Sequence, residues 1–122
     1  MAGKCVVTVE HAGPAVVLAV SGEVDGAATE VLLPAYDDAV AHAAETERHV
    51  VLDLSGVDYI NSTGIALIVS VLARARAQGR VLHACGLSDH YREIFAVTRL
   101  SDYIDLHPRL DEALAAARGG SE

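Results

Sequence analysis

Two hydroxyl side chains stand beside a glycine near the middle of the chain, at Ser62, Thr63 and Gly64. The apolar run 50–54 precedes them and the apolar stretch 65–73 follows, an order that predicts a strand, a turn and a helix. At the start of a helix, the oxygen of Ser62 or Thr63 can accept a hydrogen bond from a first-turn amide, a cap that contributes about 1 kcal/mol. The same hydroxyl could carry a phosphate and so act as a switch. These residues alone do not decide whether the hydroxyl is a structural cap or a modification site.

The motifs of common enzymes are missing around these hydroxyls. A nucleophile elbow requires glycine two residues before the serine, where this chain has Ile60. The glycine spacings match neither type of phosphate-binding loop, and Lys4 is the only lysine. Several acids could meet at strand ends, but capping and solvated loops are their commoner roles, so we expect no enzyme and no catalytic residue. These acids are Glu23, Asp25, Asp53 and Asp58.

The chain has no spacing of cysteine and histidine that is typical of a metal site. Cys5 and Cys85 lie in strand-like runs, where a free cysteine behaves as a small core residue. The six histidines are scattered along the sequence. We therefore expect two structural thiols, no metal and no cofactor.

Charge and composition argue against nucleic acid and membranes as partners. Seventeen acidic and nine basic residues give a formal charge of −8, which repels phosphate backbones and anionic lipid surfaces. The one local basic group, Arg74, Arg76 and Arg80, lies where it can complement the end of a helix. The stretch 65–73 is too short to span a bilayer, and the N-terminus lacks the apolar core of a signal peptide. We expect a cytoplasmic protein.

At 122 residues the chain is expected to form one domain, with strands and helices in the order ββαβαβαβα. A hairpin turns at 11–14, and Asp25 caps the helix that follows it, with a kink or late start near Pro34. This alternation predicts an α/β fold with a mixed, largely parallel sheet of about five strands and four helices. The remaining elements are the strand through Leu54, a helix from Ser62 to Gln78 closed by Gly79, a strand at 81–85, a helix at 89–97 capped by Ser88, a strand at 101–106, a helix at 109–117 and a tail at 119–122.

The apolar positions of the helix after Ser62 predict two partners for it. Ile65, Ile68, Val69 and Leu72 form a stripe that we expect to face the sheet. Leu67, Val71 and Ala73 keep much of the remaining surface apolar. A neighbouring helix or a docking protein would cover that second face.

Three segments resemble the STAS domain of bacterial anti-sigma-factor antagonists. They are 22–25, 51–64 and 79–82. The most specific part is the block Asp-x-Ser-x-Val-x-x-Ile-x-Ser-Thr-Gly at 53–64. The resemblance covers nearly the whole chain, and it implies a single STAS domain over residues 1–118 followed by a flexible tail.

The resemblance also implies a function. A protein of this family binds a serine-kinase anti-sigma factor and thereby releases the sigma factor, without catalysing a reaction. The kinase would phosphorylate Ser62, and a PP2C-type phosphatase would restore the binding form. The partner-binding residues implied are Gly22, Glu23, Asp25, Asp58, Tyr59, Asn61, Ser62, Thr63, Gly64, Ile65 and Leu67.

One position departs from the family pattern, and two alternative functions stay open. Asn61 stands where the family usually has aspartate, so a charge is lost beside Ser62, which remains the expected phosphorylation site. The first alternative is a STAS scaffold that does not switch, in a lipid-transport ATPase or a stressosome-like complex. The second is a sensor of a small ligand. The first would bind its partner regardless of Ser62.

Overall fold

The strands and helices follow the predicted order. The computed structural model describes residues 4–119. Short 3₁₀ turns at Gly26–Ala28 and Leu100–Asp102 supplement the main elements. These elements are β1 (Val6–Ala12), β2 (Ala15–Val24), α1 (Thr29–Ala41), β3 (His49–Ile60), α2 (Ser62–Ala77), β4 (Val81–Cys85), α3 (Asp89–Val97), β5 (Asp105–His107) and α4 (Leu110–Gly119).

The strands form one sheet in the order β1-β2-β3-β4-β5. β1 and β2 form the predicted antiparallel hairpin, and the turn between them includes Gly13, whose φ is +62°. The other neighbouring strands are parallel. The prediction of a mixed, largely parallel sheet is therefore confirmed. The apolar runs of β3 and β4 reflect burial of both of their faces.

Helices cover both faces of the sheet, and alternate strand residues supply the two cores. On one face Leu18 and Leu52 pack with residues of α1, α2 and α3. On the other face Val17 and Val51 pack with α4. Cys5 belongs to the first core and Cys85 to the second, so both thiols are buried as predicted. None of the helices in residues 4–119 has the length and apolar character that a membrane crossing demands.

The predicted helix ends are correct in part. The carboxylate of Asp25 accepts hydrogen bonds from the amides of Ala27 and Ala28, but it caps the 3₁₀ turn, and α1 begins at Thr29. Pro34 lies inside α1 and is exposed. Gly79 follows α2 with φ +69°, and Ser88 caps α3, both as predicted.

The last part of the chain differs from the prediction. The predicted strand at 101–106 is correct only at its end, because a 3₁₀ turn occupies Leu100–Asp102 and β5 spans Asp105–His107. Leu100 at the start of the turn and Ile104 beyond it are buried in the core. The apolar residues of this segment therefore reflect burial around a turn and do not indicate a strand. α4 extends to Gly119. The rest of the predicted tail, 120–122, lies outside the described residues.

Three histidines from neighbouring strands form a hydrogen-bonded row, here called the histidine ladder, on the face covered by α4. Nδ1 of His49 lies 3.0 Å from Nε2 of His83, and Nδ1 of His83 lies 3.0 Å from Nε2 of His107. His83 is 2% exposed, and Asp105 Oδ2 is 3.9 Å from its Nδ1. Burial lowers the pKa of His83 to about 4, with Asp105 opposing that shift and the neighbouring histidines adding to it.

We expect the domain to lose stability as the pH falls from 6.5 to 4. His83 binds a proton near pH 6.5 in the unfolded chain but only near pH 4 in the folded one, so acid favours unfolding in this window. The loss attributable to His83 is about 3 kcal/mol. Urea unfolding of the wild type and of His83→Gln across the window measures it. Parallel curves for the two proteins would contradict the assignment.

Candidate functional site

The carboxyl ends of β2 and β3 lie side by side. Glu23 pairs with Tyr59 and Val24 with Ile60 in the parallel register. The prediction that the strand ends at Leu54 is wrong, because β3 continues to Ile60 through two register shifts. A bulged strand tolerates glycine and polar residues that a regular one disfavours. In the predicted partner-binding loops, residues 22–24 and 58–60 are thus strand ends, and residues 61–64 form the cap and first turn of α2.

Asn61 begins α2 as its N-cap. The Oδ1 atom of Asn61 accepts a hydrogen bond from the Gly64 amide at 2.8 Å. The Asn61 amide in turn donates to the Val24 carbonyl at 3.2 Å, which joins the start of α2 to the end of β2. The prediction that Ser62 or Thr63 supplies the cap is therefore wrong. Both hydroxyls belong to the first turn and remain exposed.

Gly64 permits a very close approach between α2 and β2. A Cβ atom at this position would lie 2.0 Å from the Val24 carbonyl oxygen and 3.0 Å from Ile60 Cγ2. On the same surface, a Cβ atom at Gly26 would lie 3.3 Å from Thr63 Cγ2. The strand ends therefore fix where the first turn of α2 lies, and they present Ser62 to solvent.

The cap predicts how substitutions at Asn61 affect stability. Asn61→Ala should lower the free energy of unfolding by about 1 kcal/mol, because the Gly64 amide loses its acceptor. Asn61→Asp should retain the cap and add a favourable charge at the helix N-terminus, for a change within about 1 kcal/mol of the wild type. Urea unfolding measures both variants. Equal losses for alanine and aspartate would contradict a capping role.

The predicted partner-binding residues divide by exposure. Asp58, Tyr59, Ser62 and Thr63 are exposed, and Tyr59 is 50% exposed. A second group is half-buried, namely Glu23, Asp25, Asn61 and Ile65, and a third is buried, namely Gly22, Gly64 and Leu67.

Leu67 is wrongly predicted as a partner contact, because it is 3% exposed and belongs to the core. The predicted stripe on α2 is correct in part, because Ile68 and Leu72 are buried and Ile65 packs against the core. Leu67 and Val71 face the core, whereas Val69 is 41% exposed. The buried face follows Gly64, which must lie against β2. Contact of Gly64 with β2 therefore determines which face of α2 is buried, and the spacing of apolar residues does not include this glycine.

The three acids among the predicted partner-binding residues, Glu23, Asp25 and Asp58, have different surroundings. Asp25 uses its carboxylate on the 3₁₀ turn, and Glu23 lines a hollow of about 320 Å³ together with Asp25. Asp58 lines a separate hollow of about 210 Å³ beside α3. In that hollow, the Ile60 amide donates to the Tyr91 hydroxyl at 2.9 Å. Sequence reasoning missed Tyr91, since only the fold brings α3 against the end of β3.

Ser62 is exposed in the first turn of α2. Within residues 4–119, no protein group hydrogen bonds to its hydroxyl, whereas the neighbouring Asn61 side chain bonds to the Gly64 amide. The backbone of Ser62 lies at a helix N-terminus, where free amides and the helix dipole favour negative charge. Residues 4–119 contain no cluster of three side chains of the types that bind a metal ion.

Comparisons with known proteins agree with this arrangement. The family model described as "Mlab, STAS domain" matches residues 7–110. The chain is 35% identical to BtrV of Bordetella bronchiseptica over 63% of its own length, and it spans just under two thirds, 64%, of that protein. It is 25% identical to the anti-sigma-F factor antagonist RsfA of Mycobacterium tuberculosis, over 89% of this chain and 84% of RsfA.

Solved structures share the fold. An anti-sigma factor antagonist from Mycobacterium paratuberculosis has a TM-score of 0.80 and 26% identity, covering 94% of this chain and 95% of that one. The phosphorylated form of the Bacillus cell fate determinant SpoIIAA has a TM-score of 0.65 and 18% identity, covering 89% and 96%. The relatives and structural neighbours include anti-sigma factor antagonists, and the chain belongs to the STAS domain family.

Proposed function

We propose that this protein is an anti-sigma factor antagonist that works in the cytoplasm. It binds an anti-sigma factor with serine kinase activity and so releases the sigma factor. The observation that carries the proposal is the exposed Ser62 at the N-terminus of α2, two residues after the end of β3. Tyr59 and Thr63 are exposed beside it in the sequence, which gives a partner both apolar and polar groups to contact.

Phosphorylation of Ser62 switches the protein off in this proposal. A phosphate adds roughly −1.5 to −2 charges, and the N-terminus of α2 stabilises negative charge, so the fold tolerates the modification. The fold shared with phosphorylated SpoIIAA supports that tolerance. In a protein interface, however, the same charge must be desolvated, which opposes binding. A PP2C-type phosphatase then returns the protein to its binding form.

Asn61 is compatible with this switch. Its side chain supplies the cap that an aspartate would supply, so the backbone around Ser62 keeps its position. Because the carboxamide is uncharged, it adds no repulsion to the phosphate. The departure from the family pattern therefore changes the charge beside Ser62 and preserves its geometry.

Tyr59 tests where the partner binds. Tyr59→Ala should weaken binding of the anti-sigma factor about tenfold, because exposed aromatic residues are frequent hot spots of interfaces. Tyr103→Ala is the matched control, since Tyr103 is 55% exposed and stacks with Arg76, about 20 Å along α2 from Ser62. Isothermal titration calorimetry with the anti-sigma kinase encoded in the same genome measures both. Equal effects of the two changes would place the interface elsewhere.

A further inference from the structure

A basic hollow lies at the end of the sheet opposite Ser62. Its volume is about 470 Å³, and it lies where β2, β3 and β4 begin, against the C-terminal part of α4. Three of its lining residues are basic, namely Arg48, His49 and Arg118, and none is acidic. Pro14, Val81 and Ala117 give it an apolar wall. Such a lining is unusual on a chain with a formal charge of −8.

The two arginines of this hollow differ from most others in the protein. Four arginines elsewhere pair with carboxylates: Arg74, Arg92, Arg99 and Arg109. In residues 4–119, Arg48 and Arg118 form no such ion pair. The guanidinium of Arg48 donates to the Gly79 carbonyl at 3.0 Å, which holds it at the hollow. Guanidinium groups that share a concave surface favour an oxyanion, which can accept their hydrogen bonds in pairs.

His49 connects the hollow to the histidine ladder. Its Nδ1 contacts His83, so Nε2 is the nitrogen that lies outside the ladder. Each N···N contact holds one proton, and the outer nitrogen of each terminal histidine can hold a proton of its own. In the neutral ladder, one of these two outer nitrogens has no proton. The ladder therefore accepts one proton beyond its neutral state without losing a hydrogen bond. A second extra proton would place two N–H groups against each other.

The charges around the ladder decide when that proton binds. Burial and the nearby Arg48 lower the pKa of His49, whereas Asp105 raises it. Two further ionisable residues lie on this side of the sheet. Cys85 is on the same face of β4 as His83, and Arg118 is the charged residue of α4 that lines the hollow. An anion between the arginines would offset their repulsion of the extra proton. Binding of the anion and uptake of the proton must then favour each other.

We propose that the hollow formed by Arg48, His49 and Arg118 binds a small, doubly charged oxyanion from solution, and that binding draws a proton onto the histidine ladder. Sulfate is a suitable probe, because it keeps its charge from pH 5.5 to 7.5. The site is separate from the surface around Ser62, so its test does not depend on the proposed function.

The test is a sulfate titration followed by two-dimensional NMR, at constant ionic strength. The double variant Arg48→Gln with Arg118→Gln should bind sulfate at least about tenfold more weakly than the wild type. The control is Arg92→Gln with Arg109→Gln, which removes the same charge from exposed positions outside the hollow. It should retain wild-type affinity. Equal losses in the two double variants, or diffuse shifts without saturation, would overturn the site.

The proton coupling is tested by the same titration at two pH values. Wild-type affinity should increase about fivefold between pH 7.5 and 5.5. His49→Gln should show no increase between pH 7.5 and 5.5, whatever its affinity at pH 7.5, with circular dichroism confirming that it is folded. An affinity that does not change with pH in the wild type, or the same increase in His49→Gln, would overturn the coupling.

Discussion

Ser62→Asp should weaken binding of the anti-sigma factor about 100-fold, because a charge buried at an interface without a partner costs several kcal/mol. The fold should remain intact. Aspartate in the first turn of α2 interacts favourably with the helix dipole, so the free energy of unfolding should be unchanged or slightly higher. Calorimetric titration and urea unfolding, made on the same preparation, separate the two effects.

Two controls isolate the effect of the charge. Ser62→Asn has the size of the aspartate variant without its charge and should bind much more tightly than it does. Ser101→Asp adds the same charge at an exposed position in the second 3₁₀ turn and should bind as the wild type does. Wild-type affinity in Ser62→Asp would instead favour a scaffold that does not switch.

Gly64→Ala should destabilise the protein by about 3 kcal/mol or more. Alanine usually stabilises a helix relative to glycine, by about 0.5–1 kcal/mol. Here the added Cβ would lie 2.0 Å from the Val24 carbonyl oxygen, so α2 or β2 has to move. That movement would also strain the Asn61 cap, since the cap bonds to the Gly64 amide. The steric cost therefore outweighs the gain in helix propensity.

Gly119→Ala is the matched control for this prediction, because a Cβ there meets no atom within 4 Å. Its free energy of unfolding should equal or slightly exceed that of the wild type. Urea unfolding of both variants gives the comparison. If Gly64→Ala were as stable as Gly119→Ala, the close packing of α2 on β2 would not hold in solution.

The order of elements and the sheet were predictable from local signals. The apolar runs of β3 and β4 identify buried strands. Asp25, Gly79 and Ser88 mark helix or turn boundaries close to those of the structure. The end of β3 was not predictable in this way. Gly56 of this part pairs with Ser21 of β2, and Asp58 lies unpaired at a register shift between the paired residues Val57 and Tyr59.

The details of the site depended on geometry that residue types do not contain. Asn61, Ser62 and Thr63 are all good capping residues, and only the backbone determines that Asn61 is the one that caps. Leu67 could have faced either side until the contact at Gly64 fixed the rotation of α2. The pattern did identify Ser62 as the hydroxyl at the helix start, where the structure exposes it.

The histidine ladder shows the same limit over a longer range. His49, His83 and His107 are more than twenty positions apart in the sequence and look scattered. The parallel register of β3, β4 and β5 aligns them with 3.0 Å contacts. The cluster forms because strands that are far apart in the sequence pair in the sheet, so no motif of fixed spacing could have indicated it.

One reaction tests the proposed switch most directly. The protein is incubated with its anti-sigma kinase and ATP, its phosphorylation is mapped by mass spectrometry, and the complex is followed by size-exclusion chromatography. Thr63→Ala serves as the control for the neighbouring hydroxyl. We predict one phosphate, on Ser62, in both the wild type and Thr63→Ala, with loss of the complex as phosphate is incorporated. A complex that persists with Ser62 fully phosphorylated, or phosphate absent from Ser62, would contradict the switch.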